Sequence, residues 1–163
     1  MRRALALLAV ALALGWLVSG SVERAAQARL MPVVAASSGP ADFVSDGCSG
    51  GLSALWPGEG PPWTGCCVAH DRAYHTAGGA RTVEDSLIAR ARADAELRAC
   101  VVRDGVTRRS ALAAAWGVAP GMVDGAYAVT AWAMYRAVRL GGLPCTGLPW
   151  RWGFGFADCA PWR

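Results

Sequence analysis

The 163-residue chain contains no lysine, and all 16 of its basic residues are arginines, set against 12 acidic residues. Charge is scarce overall, at 17% of residues, while 54% are hydrophobic. Disorder needs the reverse balance, so a disordered chain is excluded. The net charge of +4 is not gathered into a basic stripe. Nucleic-acid binding rests on such a concentrated footprint and is not expected here. No Cys-x-x-Cys occurs and the only histidines are His70 and His75, so a structural zinc site is poorly supplied. The length allows one domain with one main core. No internal repeat is present, and nothing points to an obligate protein partner.

What the chain does have begins at its N-terminus. Met1-Arg2-Arg3 is a short positive start, followed by an uncharged run from Ala4 to Val18. A spanning helix needs roughly 20 apolar residues, so this run is short for one. Small residues and then Ala26-Gln27-Ala28 follow. This is the order of a secretory leader covering residues 1–28, cut after Ala28. The rival reading is an uncleaved anchor through residues 4–18. Either reading takes the folded part out of the cytoplasm, secreted or periplasmic. Residues 29–42 read as a linker and 43–163 as the folded domain. Six cysteines behind an export signal fit a disulfide framework. Their spacing alone does not choose the pairing, although the adjacent Cys66-Cys67 should bond outward to two different partners.

The domain reads as mainly α with Gly-, Pro- and Trp-rich connections. Pro57, Pro61 and Pro62 prevent a helix through residues 43–65. The first helix is expected from about Thr64 to Gly78-Gly79. A second starts at Thr82, an N-cap with Glu84 and Asp85 in the first turn, and stops near Asp104-Gly105. A short piece from Ala111 to Trp116 is broken by Pro120, and a third long helix spans Met122 to Leu140, closed by Gly141-Gly142. The tail holds Trp150, Trp152, Phe154, Phe156 and Trp162. These aromatics can pack a small core or form an interfacial patch, because tryptophan favours the headgroup level of a membrane.

The chemistry concentrates in Cys66-Cys67-Val68-Ala69-His70-Asp71-Arg72-Ala73-Tyr74. On a helix Cys67, His70 and Tyr74 share one face, while Asp71 points about 100° away. A base and a carboxylate thus stand together but serve different targets. Histidine can take a proton from water near neutral pH. A carboxylate suits a hard cation. On the second helix Leu87, Ala91 and Asp94 form a row that puts a carboxylate on an apolar stripe. A buried carboxylate needs a partner, and an imidazole N–H is a suitable one. Arg98 lies near the same stripe. His75, off the His70 face, reads as a surface residue.

The pattern Cys66-Cys67-x-x-His70-Asp71-x-x-Tyr74 resembles the active-site helix of the secreted phospholipase A2 family. Asp46-Gly47-Cys48-Ser49-Gly50-Gly51 resembles the calcium loop of its microbial members. The resemblance covers roughly Phe43 to Arg103. It implies a disulfide-linked helical fold and calcium-dependent hydrolysis of the sn-2 ester of glycerophospholipids at a membrane or micelle surface. His70 would activate water, with Asp94 orienting it and Tyr74 holding the network. Asp71 would bind Ca²⁺, joined by backbone carbonyls near Gly47, Ser49 and Gly51. Asp46 is open to two readings, a turn former or a direct ligand. The implied disulfides are Cys48–Cys67, Cys66–Cys100 and Cys145–Cys159. If Cys66 bonds Cys100 between antiparallel helices, His70 and Asp94 lie at axial offsets of roughly 6 and 9 Å from that bond, within side-chain reach of each other. The chain departs from the family in its Trp56–Trp63 insert and after Gly105. Two further readings stand beside the enzyme. One is a lipid-binding module on the same scaffold without turnover. The other is a disulfide-rich structural protein whose histidine helix is only core.

Overall fold

The computed structural model describes residues 20–48 and 60–161. It is helical, and no strand occurs among the described residues. Helix α1 occupies residues 20–36. Helix α2 is Thr64–His75, α3 is Val83–Trp116 and α4 is Pro120–Gly141. A single 3-10 turn, Ala77–Gly79, follows α2. No helix among the described residues is long and apolar enough to cross a membrane. Residues 1–19, which hold the expected anchor 4–18 and most of the expected leader 1–28, lie outside the described residues.

Helix α1 runs through the expected cleavage point and through most of the segment read as a linker. Its buried positions are Glu23, Gln27, Leu30 and Met31, spaced as one helical face. Two of these are polar, so hydropathy does not reveal the stripe. A cut after Ala28 would remove Glu23 and Gln27 from a packed interface.

The two helical pieces expected between Thr82 and Trp116 are one helix. Thr82 caps α3 by accepting from the Asp85 amide at 3.1 Å. Gly105 does not end it. A Cβ at Gly105 would stand 2.4 Å from Cγ of Tyr127, so this glycine admits the α4 ring against the α3 backbone. The helix stops instead at Gly117, in the left-handed region with φ 65°. Pro120 then opens α4 at its first turn, where its missing N–H costs nothing.

The pairings Asp94–Arg139, Gly105–Tyr127 and Arg109–Asp124 run in opposite senses along α3 and α4, which makes the two an antiparallel hairpin. Cys66–Cys100 and His70–Asp94 set α2 antiparallel to α3 in the same way. The bridges are Cys48–Cys67, Cys66–Cys100 and Cys145–Cys159, the set that the resemblance implied, and they suit an oxidising compartment.

One apolar cluster gathers Trp63, Cys66, Cys67, Leu97, Val101, Val123 and Tyr127. A second gathers Leu30, Met31, Tyr74, Ala93 and Trp152. Trp152 is 0% exposed and donates its indole N–H to Ser86 Oγ, which donates to Gln27 of α1. The tail also closes the end of α2, because Gly153 and Gly155 donate to the carbonyls of Tyr74 and His75. His75 is therefore buried, not a surface residue, and its ring meets Phe43 and Phe154 edge-on. In the aromatic tail Trp152 is core, Trp150 is 53% exposed, and Trp162 lies outside the described residues.

Candidate active site

Helix α2 supplies the reactive face. Cys67, His70 and Tyr74 are all buried, as a shared face requires. Helix α3 supplies the opposing carboxylate, but from a different row than expected. The buried stripe is Ser86, Arg90, Ala93, Asp94, Leu97 and Val101. Ala91 is exposed and Leu87 half-buried, and Arg98 is exposed.

The Cys66–Cys100 bridge fixes the register, and His70 Nε2 lies 3.0 Å from Asp94 Oδ1. Tyr74 donates its hydroxyl to the same oxygen at 2.8 Å. An ionised carboxylate only accepts, so in the neutral ring Nε2 carries the proton and Nδ1 keeps its lone pair. Nδ1 is 4.0 Å from Asp71 Oδ1, beyond hydrogen-bond length but within reach of its charge. Asp71 is held from its other oxygen by the Ser45 hydroxyl at 2.6 Å.

Burial alone would lower the pKa of His70. Asp71 and Asp94 outweigh it and raise the value above the ordinary 6.5. For Asp94, burial pushes upward, but bonding to His70, the Arg90 charge, Tyr74 and Arg139 together hold the carboxyl below its usual 3.8. Burial raises the Tyr74 phenol, which keeps it a neutral donor.

His70 and Asp71 open onto a cavity of about 580 Å³. Asp46, Gly47 and Tyr74 line it with them. The rest is apolar, formed by Leu97, the α4 face of Ala133, Met134, Ala137 and Val138, and Trp150. A base and carboxylate oxygens in a largely apolar cavity can take a ligand that is part polar and part apolar. Gly47, at φ 68°, turns the chain here, and its amide donates to Ser45 Oγ. Ser49 and Gly51 lie outside the described residues. No group of three or more His, Cys, Asp or Glu side chains suited to a metal occurs among the described residues. Asp46, Gly47 and Asp71 nonetheless line the same cavity, with Ser45 bonded to both Asp71 and Gly47, and carboxylate and carbonyl oxygens are the donors that calcium accepts.

Sequence reasoning missed Glu23, Ser45, Arg90 and Arg139. Arg90 had a signal, because it stands four residues before Asp94 on the same face. Glu23 had none, since it sits within a segment that reads as a leader.

No protein-family model matches the chain, and neither a curated protein nor a solved structure shows a match to it.

Proposed function

We propose that this chain is a phospholipase A2-like carboxylic ester hydrolase acting on the sn-2 ester of glycerophospholipids. The observation that carries the reading is the His70–Asp94–Tyr74 network opening onto a largely apolar cavity that Asp71 also lines. His70 Nδ1 takes a proton from water as that water attacks the ester carbonyl, and the imidazolium then returns the proton to the lysophospholipid oxygen as the sn-2 C–O bond breaks and the fatty acid leaves. Asp94 keeps the proton of the resting imidazole on Nε2 and stabilises the imidazolium that forms. The apolar wall holds an acyl chain and orients the ester. Asp71, with Asp46 and the Gly47 carbonyl, would hold Ca²⁺. When bound, Ca²⁺ supplies positive charge for the lipid phosphate and the developing oxyanion.

The lipid surface is met by α4 rather than by the whole aromatic tail. Met122, Val129 and Leu140 are exposed and fall within about 20° of one another around the helix, with Trp132 beside them. The same face continues into Ala133 and Ala137 of the cavity wall. This exposed face also favours the second reading, a lipid-binding module without turnover. A His70→Ala variant with an unchanged circular dichroism spectrum separates the two. Under the enzyme reading it binds vesicles as before and releases no fatty acid. Full hydrolysis by that variant would end the proposal.

A further inference from the structure

Asp94 is 0% exposed and uses both oxygens. Its Oδ1 serves His70 and Tyr74, while Oδ2 accepts from Arg139 Nη1 at 3.0 Å. The second terminal nitrogen of Arg139 donates to Glu23 Oε2 at 2.6 Å. The other oxygen of Glu23 accepts from Arg90. Arg90 itself, with no exposed side-chain surface, donates onward to the carbonyls of Val138 and Arg139 and, at 3.3 Å, to the Tyr74 hydroxyl. Two carboxylates and two guanidiniums thus alternate, and four helices meet in one buried chain of charge-assisted bonds.

A carboxylate held through one oxygen can turn about its Cβ–Cγ bond. Held through both, it presents Oδ1 to the imidazole in one orientation. Arg139 is itself long and part-exposed, and Glu23 fixes it from the far side. We infer that Glu23 and Arg139 are positioning residues that lock Asp94, and through it the proton-bearing nitrogen of His70, making α1 a working part of the site. The inference rests on the hydrolase reading for its kinetic consequence and on geometry alone for its effect on the imidazole.

The test compares wild type with Arg139→Met, Arg139→Lys, Glu23→Gln and the Glu23→Gln/Arg139→Met double variant, each shown folded by circular dichroism. Two quantities are measured at one fixed pH on the full chain. The first is kcat and KM for fatty-acid release from phospholipid vesicles with Ca²⁺ present. Arg139→Met should lower kcat about 10- to 50-fold with KM within about 2-fold, as expected when orientation and not binding is lost. Arg139→Lys should recover part of the loss. Glu23→Gln should cost less than Arg139→Met, and the double variant should lose clearly less than the product of the two single losses, because Glu23 acts chiefly through Arg139. The second is the ¹⁵N spectrum of the His70 ring, which should show one tautomer in wild type and a mixture in Arg139→Met. Unchanged kcat in folded Arg139→Met, or losses that multiply in the double variant, overturns the inference. If wild type releases no fatty acid, the hydrolase reading falls, and the ring spectrum still decides this one. A mixture in Arg139→Met upholds the positioning role and an unchanged spectrum refutes it.

Discussion

Replacing Asp94 with Asn tests how the carboxylate works, because the two side chains have the same shape and differ in charge and in one donor. Arg139 Nη1 points at Oδ2 and cannot donate to an amide NH₂. The Asn amide must therefore turn its carbonyl to Arg139 and its NH₂ to the Oδ1 position. The NH₂ there faces His70 Nε2, which must now accept, and the ring proton moves to Nδ1. The base is lost without displacing a heavy atom. Tyr74 still has the Val138 carbonyl, 3.4 Å away, as an acceptor. Loss of the correct tautomer in a triad-type site costs about 10⁴ in kcat, and a fall of about 10³ to 10⁴ is expected here. Stability should fall less dramatically, by about 3 kcal/mol, because the bonds to His70 and Arg139 survive with an uncharged partner, while Tyr74 exchanges its 2.8 Å bond for the longer one to Val138 and the buried guanidiniums lose one counter-charge. The assay combines fatty-acid release from vesicles, thermal unfolding and the ¹⁵N spectrum of the His70 ring. A folded Asp94→Asn variant that keeps more than about a tenth of the wild-type rate would refute the reasoning.

Gly105→Ala should destabilise by about 1–3 kcal/mol in thermal unfolding, since the added methyl meets the rigid part of the Tyr127 ring at 2.4 Å. Gly125→Ala, on the same hairpin with nothing within 4 Å, should instead stabilise by about 0.5–1 kcal/mol through helix propensity. The stability contributions of His70 and Asp94 should depend on pH in opposite senses. The His70 value is raised, so its contribution is complete below 6.5 and is lost as pH rises through the folded value. The Asp94 value is lowered, so its contribution is complete above 3.8 and is lost as pH falls through the folded value. Melting temperatures of His70→Ala and Asp94→Asn against wild type across pH would show the two gaps closing at opposite ends. A chain beginning at Gly20 should fold with its buried network intact, whereas one beginning at Arg29 should melt markedly lower, having lost Glu23 and Gln27; equal melting temperatures would contradict the role given to α1.

The parts of the fold visible in sequence are those governed by local rules. The α2 face, the Thr82 cap and the outward bonds of Cys66-Cys67 follow from spacing and capping chemistry. The facing of His70 and Asp94 follows once the Cys66–Cys100 register is set. What escaped was decided by partners far along the chain. The packing of α1 was hidden because its buried face carries Glu23 and Gln27, whose partners Arg90 and Ser86 are 67 and 59 residues away. Gly105 looked like a stop because local rules cannot see Tyr127 arriving on the α3 backbone. His75 looked exposed because its covering rings, Phe43 and Phe154, come from opposite ends of the folded part. Trp150 and Trp152 are two residues apart, yet one faces the cavity and the other fills the core, a choice made by Ser86 and Gln27.

If His70 and Asp71 form a calcium-assisted esterase site for phospholipid, hydrolysis must depend on the metal. Fatty-acid release from mixed phospholipid vesicles, measured with Ca²⁺ and again after adding EGTA, tests it most directly. Release that requires Ca²⁺ and stops with EGTA is expected. Vesicle binding with no release under either condition, or release indifferent to EGTA, would contradict it.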